Sequence, residues 1–230
     1  MQNDNYSFIS LKGIYKTFKN NGVNVEILKE LCFDINKGDT IAIVGASGIG
    51  KSTLLHILGT LDRPDIGTIL FEEKDVFLFD DKKLAKFRNQ FIGFVFQFHH
   101  LLPEFSTIEN VMMPALIQGY NKKESKDMAE SILVRVGLKE RLYFRTNQLS
   151  GGEQQRTALA RSLIMNPMVL LADEPTGNLD KRNSNQVHDL LMELNRELSM
   201  TMVVVTHNME LAGLMNHRVT IVDGQLLETS

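Results

Sequence analysis

Short apolar runs, each followed by a polar or glycine-rich turn, mark both ends of the chain. Thr40–Val44 and Val169–Ala172 are two such runs, and Met202–Thr206 is a third that is rich in β-branched residues. Runs of this length are typical of buried strands in a parallel sheet. Segments with helical character alternate with them, among them Ser52–Gly59 and Asn183–Leu198. The alternation predicts an α/β fold, in which a mostly parallel sheet carries helices on both faces.

The middle of the chain has a helical pattern instead. Ser106 and Glu109 have the spacing of a capping box, which starts a helix. Lys122–Val136 places apolar residues at helical spacing, and a further helix is predicted over Gly151–Met165. We therefore expect a helical subdomain of about residues 98–165.

The remaining residues are expected to form the core around this insertion. Phe8–Ile14 and Val25–Ile35 are predicted strands, and the Asp223-Gly224 pair predicts a hairpin between the last two strands. The core would take about residues 1–97 and 166–230, so that residues 1–230 form a single domain with an insertion.

Composition and charge narrow the class of protein. The chain has 230 residues, of which 43% are hydrophobic, and a net charge of −3. This charge argues against a nucleic acid partner, since sequence-independent binding needs a basic face. No stretch approaches about 18 consecutive apolar residues, and Met1–Ser10 lacks the pattern of a signal peptide. We expect a cytoplasmic protein, for which other chains would supply any membrane spans.

Two residues with reactive side chains are predicted to be unrelated to function. Cys32, the single cysteine, lies in a strand-like run and is expected to be a buried thiol. His188 is expected on the polar side of its helix.

The segment Gly45–Ser52 matches the pattern G-x-x-x-x-G-K-S between a predicted strand and a predicted helix. Such a loop directs backbone N–H groups at phosphates, and the positive end of the following helix adds to the attraction. A lysine here supplies charge to the outer phosphates, and a serine hydroxyl is a ligand for Mg²⁺. The residues assigned to nucleotide binding are Gly45, Ser47, Gly48, Gly50, Lys51, Ser52 and Thr53.

Two carboxylates end the apolar run Val169–Ala172. A buried strand would deliver Asp173 and Glu174 at its carboxyl end, where α/β sheets bind ligands. We expect Asp173 to hold Mg²⁺ and Glu174 to orient and deprotonate an attacking water. A pair of acidic residues at a strand end is a weak signal alone, and it gains weight from the phosphate loop.

A second helix start suited to anions is predicted at Ser150, Gly151 and Gly152. One chain needs only one such loop for each triphosphate. A second one is useful if it serves the nucleotide held by another subunit.

The segment Leu149–Arg156, L-S-G-G-E-Q-Q-R, resembles the signature motif of ABC ATPases, and the other motifs follow in the order of that family. The resemblance implies a P-loop NTPase (RecA-like) core with N-terminal antiparallel strands. It also implies that Gln97 contacts Mg²⁺ and the lytic water, and that His207 contacts the γ-phosphate. Glu174, His207 and Gln97 would thus be catalytic, and Ser52, Gln97 and Asp173 would hold the metal. Asp180 would cross to the other subunit, and Phe18 would stack on adenine, with Tyr15 left open as an alternative.

The same resemblance implies partners. A head-to-tail homodimer would hold two ATP molecules between its subunits. The segment Phe96–Phe105, which contains His99 and His100, resembles the ATPase subunits of lipoprotein-releasing transporters of Gram-negative bacteria. This would place the chain at the cytoplasmic face of the inner membrane, below a permease heterodimer that handles lipoproteins.

Other functions stay open at this point. The motif Asp173–Asp180 is shared with macrolide-efflux and cell-division ATPases. A non-transport ABC ATPase is disfavoured because the net charge is acidic. A binding module without hydrolysis is disfavoured because Lys51, Glu174 and His207 are all present.

Overall fold

The computed structural model describes residues 7–20 and 22–229. The strands are β1 (Ile9–Asn20), β2 (Val23–Ile35), β3 (Thr40–Val44), β4 (Ile66–Phe71), β5 (Lys74–Asp75), β6 (Ile92–Val95), β7 (Val169–Asp173), β8 (Thr201–Val205), β9 (His217–Val222) and β10 (Gln225–Glu228). The helices are α1 (Lys51–Leu58), α2 (Asp81–Phe91), α3 (Thr107–Gln118), α4 (Lys122–Arg135), α5 (Gly151–Leu163), α6 (Lys181–Leu198) and α7 (Met209–Ala212). Two compact units divide the chain, residues 1–85 with 201–230 and residues 86–200.

The first unit contains an antiparallel sheet in the order β2-β1-β4-β5. Strand β1 pairs antiparallel with β2 and with β4, and Ile9 lies opposite both Ile35 and Phe71. Ile9, Leu11 and Ile14 are buried, so one face of β1 packs in the core of this unit. The predicted antiparallel N-terminal strands are therefore confirmed.

The other strands of the first unit lie in the order β10-β9-β3-β8. β3 pairs parallel with β8 and with β9, and all five of its residues are buried. This explains why β3 is apolar on both faces after Thr40, whose buried hydroxyl accepts a hydrogen bond of 2.9 Å from the backbone N–H of Asn216. The β9–β10 hairpin turns at Asp223 and Gly224, which both have positive φ, as its sequence predicts.

The second unit joins a short parallel pair of strands to four complete helices. β6 pairs parallel with β7, with Ile92 opposite Val169, and α5 packs against β6. The helices α3 and α5 begin with capping boxes at Ser106 and Ser150. The first of these confirms the prediction made from the Ser106–Glu109 spacing. Helices α3, α4 and α5 lie within residues 98–165, whose status as a separate subdomain stays a prediction.

Two predictions of burial are wrong. Cys32 is exposed, and its Sγ accepts a hydrogen bond of 3.2 Å from the backbone N–H of Gly13. Along β2, Leu31 and Ile35 are buried, and Cys32 follows Leu31 on the opposite face of the sheet because successive side chains of a strand point to opposite faces. His188 is only 3% exposed, although it was predicted on the polar side of its helix. It belongs to the buried stripe of α6 and lies 3.0 Å from the hydroxyl of Thr176.

No helix among residues 7–20 and 22–229 is long and apolar enough to cross a membrane.

Candidate nucleotide site

The phosphate loop of the first unit has a backbone that requires glycine. Gly45 and Gly50 have φ values of 134° and 103°, which side-chain-bearing residues rarely adopt. A Cβ atom at Gly45 would lie 2.6 Å from Cδ1 of Ile49, and one at Gly50 would lie 2.5 Å from Cγ2 of Ile27. The loop therefore curls tightly between β3 and α1, as its sequence predicts.

Lys51 and the first turn of α1 supply positive potential at this loop. The Lys51 side chain is 8% exposed, and its ammonium donates to the carbonyl oxygens of Gly45 (2.8 Å) and Ala46 (2.7 Å). These bonds hold the charge over the loop, and an ammonium group has three donors in all. Ser52 and Thr53 lie in the same first turn, whose backbone N–H groups have no acceptor within the helix. The loop thus has the features of an anion site.

A cavity of about 680 Å³ lies beside the loop. Val25 and Ile27 of β2 line it together with Gly48 and Ile49 of the loop. Phe18 is the cross-strand partner of Val25 and is 44% exposed. Cross-strand partners lie side by side on one face of a sheet, so Phe18 is placed next to this cavity. Tyr15 pairs instead with Ile66 of β4.

His207 reaches the same edge of the sheet as the phosphate loop. It follows β8, which runs parallel to β3, and the backbone N–H of Thr206 donates to the carbonyl oxygen of Ile43 at 3.2 Å. Because carboxyl ends of parallel strands share one edge, His207 and Gly45 leave the sheet side by side. The His207 side chain is exposed there.

In the second unit, the buried strand β7 ends at Asp173, and Glu174 follows with a φ of 46°. A left-handed conformation costs a residue other than glycine about 1–2 kcal/mol. The turn is closed by a hydrogen bond of 3.0 Å from the N–H of Gly177 to the carbonyl oxygen of Glu174. Strain at a candidate catalytic residue is consistent with a fixed orientation of its side chain.

Gln97 lies against this turn. Its side-chain Nε2 donates to Oδ1 of Asn178 at 3.2 Å, and Nδ2 of Asn178 donates to the carbonyl oxygen of Gln97 at 3.1 Å. A Cβ atom at Gly177 would be only 3.0 Å from Nε2 of Gln97. The second unit therefore brings Gln97 to the turn that begins at Glu174.

The start of α5, which is predicted to bind an anion, is a capped helix terminus. Ser150 is its N-cap, and its backbone N–H donates to Oε2 of Glu153 at 2.8 Å. The other oxygen of Glu153 accepts from Nε of Arg141 at 2.8 Å. Burial raises the pKa of Glu153, but the hydrogen bonds from Ser150 and the Arg141 charge outweigh it, and the net pKa is lowered. Gly151 is exposed at the helix start, and Gly152 is buried.

Asp180 is the N-cap of α6, and both of its carboxylate oxygens bond to Asn183. Hydrogen bonds from the backbone and then the side chain of Asn183 lower the pKa of Asp180. Asn183 also packs on Gly152, since a Cβ atom there would lie 2.7 Å from Oδ1 of Asn183. The second unit thus brings Asp180 and the start of α5 together.

Sequence reasoning missed the residues that support this arrangement. Asn183 follows Asp180 at capping distance, which is a signal for their hydrogen bond, but nothing in the sequence signals its contact with Gly152. Arg161 donates to the carbonyl oxygens of His99 (2.8 Å) and His100 (2.7 Å) and so ties this segment to α5. That contact joins residues about 60 positions apart, and no local pattern predicts it.

The motifs and the fold agree with one family of proteins. The sequence pattern that defines the ABC transporter family matches residues 28–177. The chain therefore belongs to the ABC transporter family, as an ATPase of that family.

Relatives within this family narrow the resemblance further. The chain is 51% identical over 219 residues to the lipoprotein-releasing system ATP-binding protein LolD of Syntrophus aciditrophicus, which covers 95% of this chain and 98% of that protein. It is 54% identical over 217 residues to the protein of the same name from Desulfotalea psychrophila, covering 94% and 97%. The predicted resemblance to ATPase subunits of lipoprotein-releasing transporters is thus confirmed.

A solved structure supports the fold. The ATP-binding cassette MJ0796, in a dimeric post-hydrolysis state bound to ADP and Pi, is 36% identical with a TM-score of 0.88. The match covers 96% of this chain and 98% of that one. The predicted ABC cassette fold, of the P-loop NTPase type, is confirmed.

Proposed function

We propose that this chain is the ATP-hydrolysing subunit of a transporter that releases lipoproteins from the inner membrane for transfer to the outer membrane. The observation that carries the ATPase assignment is the pair of glycine-containing helix starts, at α1 and at α5, whose free backbone N–H groups suit phosphates. The relatives at about half identity, named for lipoprotein release, support the transport substrate.

The residues of the first unit fit a nucleotide. The backbone of the loop from Gly45 to Gly50 and the Lys51 charge would hold the phosphates. The exposed Ser52 hydroxyl is a ligand for Mg²⁺, which when bound neutralises phosphate charge. The Phe18 ring would stack on adenine, since it is the partner of a residue that lines the adjacent cavity, and this favours it over Tyr15. His207, at the same sheet edge, would contact the γ-phosphate.

The second unit would supply the chemistry of hydrolysis. Glu174 would take a proton from the attacking water, Gln97 would orient that water and contact Mg²⁺, and Asp173 would hold Mg²⁺ through water. Among the described residues, no group of three or more His, Cys, Asp or Glu side chains could hold a metal ion. Mg²⁺ does not need such a group, because it binds through one or two protein oxygens and the substrate phosphates.

A second copy of the chain would complete each site. Ser150, Gly151, Gly152 and Asp180 would meet the nucleotide held by the phosphate loop of the partner in a homodimer. The dimeric states of the related cassettes support this arrangement.

Membrane subunits would dock on the segment after Gln97. Phe98 is 66% exposed, and Leu102 and Phe105 are each 38% exposed. These apolar side chains would receive a helix of a permease subunit at the cytoplasmic face of the inner membrane. Lipoproteins would contact a permease heterodimer and not this chain, and nucleic acid would not be a partner.

An ATPase assay tests the catalytic part of the proposal. We expect Glu174→Gln to bind ATP but to lower turnover by about 10²–10⁴-fold, the usual contribution of a general base. Glu193→Gln, an exposed change on α6, is the matched control and should keep full turnover. Equal turnover in wild type and Glu174→Gln would overturn the role of Glu174.

Depletion and co-purification test the transport part. Depletion of the chain should accumulate lipoproteins in the inner membrane, and two different membrane proteins should co-purify with it. Recovery with a single membrane protein that works in drug efflux would overturn the assignment.

A further inference from the structure

Asn183 makes more contacts with Asp180 than a helix cap requires. Its backbone N–H donates to Oδ1 of Asp180 at 2.9 Å, which is the ordinary N-cap bond. Its side-chain Nδ2 also donates to Oδ2 at 2.6 Å. By comparison, Asn208 caps α7 through backbone N–H groups alone. Both oxygens of Asp180 are therefore held in one orientation by one residue.

The other end of the Asn183 amide faces the start of α5. A Cβ atom at Gly152 would lie 2.7 Å from Oδ1 and 3.0 Å from Cγ of Asn183. Leu179 makes a parallel contact, since its Cδ2 would be 3.4 Å from a Cβ atom at Gly151. The first turns of α5 and α6 thus meet through a glycine on one side and the Asn183 amide on the other.

We infer that Asn183 is a positioning residue that holds Asp180 and the Gly151-Gly152 start of α5 together as one preformed surface for the nucleotide of a second copy. This inference rests on the proposed function, in which these elements complete the partner's site. Asn183 would act through its two neighbours and would not need to touch nucleotide.

Two substitutions separate the contacts of Asn183. Asn183→Ala removes the side-chain hydrogen bond but keeps the backbone N–H that caps α6. Asn183→Asp keeps the shape but sets a carboxylate against the carboxylate of Asp180. Asn185→Ala is the matched control, because Asn185 is exposed on the same helix two positions further on.

The measurement compares nucleotide binding by single chains with ATP-driven dimerisation. In a Glu174→Gln background, Asn183→Ala should leave the affinity of dilute protein for a fluorescent ATP analogue unchanged within about twofold. The ATP concentration for half-maximal dimerisation should rise about tenfold, as expected for the loss of a hydrogen bond to a charged group. Asn183→Asp should raise this ATP concentration further than Asn183→Ala does. Asn185→Ala should leave it equal to that of the Glu174→Gln chain. In the otherwise wild-type chain, kcat should fall more than KM rises.

A second measurement tests the contact with Gly152 directly. Gly152→Ala should lower the melting temperature, because its methyl group meets the Asn183 amide, and adding Asn183→Ala should restore most of the loss. Dimerisation of Asn183→Ala equal to that of Asn185→Ala, or no restoration in the double variant, would overturn the inference. If the wild-type chain neither hydrolyses ATP nor dimerises, the proposed function itself fails.

Discussion

Gly50 offers a measurable test of the packing behind the phosphate loop. Its φ of 103° is unfavourable for alanine, and the added methyl group would lie 2.5 Å from Cγ2 of Ile27. A left-handed conformation costs alanine about 1–2 kcal/mol. Overpacking against a fixed neighbour adds about 1–3 kcal/mol. We expect Gly50→Ala to lower the free energy of unfolding by about 2–5 kcal/mol, the sum of the two costs.

Gly48 in the same loop provides the control. Its φ is 83°, but a Cβ atom there has no neighbour within 4 Å. Gly48→Ala should therefore show the backbone cost alone, about 1–2 kcal/mol. In a chain that already carries Ile27→Ala, Gly50→Ala should no longer show the overpacking cost, and its effect on the free energy of unfolding should fall to the backbone cost.

Thermal unfolding followed by circular dichroism measures these differences. In a chain of this size each kcal/mol lowers the melting temperature by about 2–4 °C. Gly50→Ala should therefore melt several degrees below Gly48→Ala. Equal melting temperatures for the two variants would refute the argument that Ile27 limits the loop.

Two further predictions concern the helix α5. Arg161→Lys should lower the melting temperature by about 2–4 °C, because an ammonium cannot span the carbonyl oxygens of His99 and His100 as a guanidinium does; Arg182→Lys at an exposed position should have no effect. The pKa of Glu153 lies below its ordinary value of 4.5, so its ionised form stabilises the fold above that pH, and this stabilisation is lost as the pH falls through the lowered pKa. The melting temperature of Glu153→Gln should therefore fall less steeply than that of the wild-type chain on acidification from about pH 5 to about pH 3. Equal slopes for the two proteins would contradict this contribution.

Features that depend on neighbouring residues were predictable from the sequence. The bounds of β3 and the first residue of α4 agree with their predictions, because a continuous apolar run and a regular spacing are properties of the segment itself. The phosphate loop follows for the same reason, since its glycines and Lys51 are contiguous. The helix α2 was missed, because Leu84 is its only buried residue and most of its other residues are polar.

Features that join distant segments were decided by the tertiary structure. Cys32 faces outward because the packing of β2 buries the face that carries Leu31, and His188 is buried where α6 meets Thr176. Asn183 packs on a glycine that is 31 positions earlier in the chain, and no local signal marks that glycine as its neighbour. The sequence alone therefore determined which chemical groups the chain carries and which of its strongly patterned segments are strands or helices. Only the packed fold decided which of those groups meet, because contacts between distant segments depend on how whole elements bury their apolar faces.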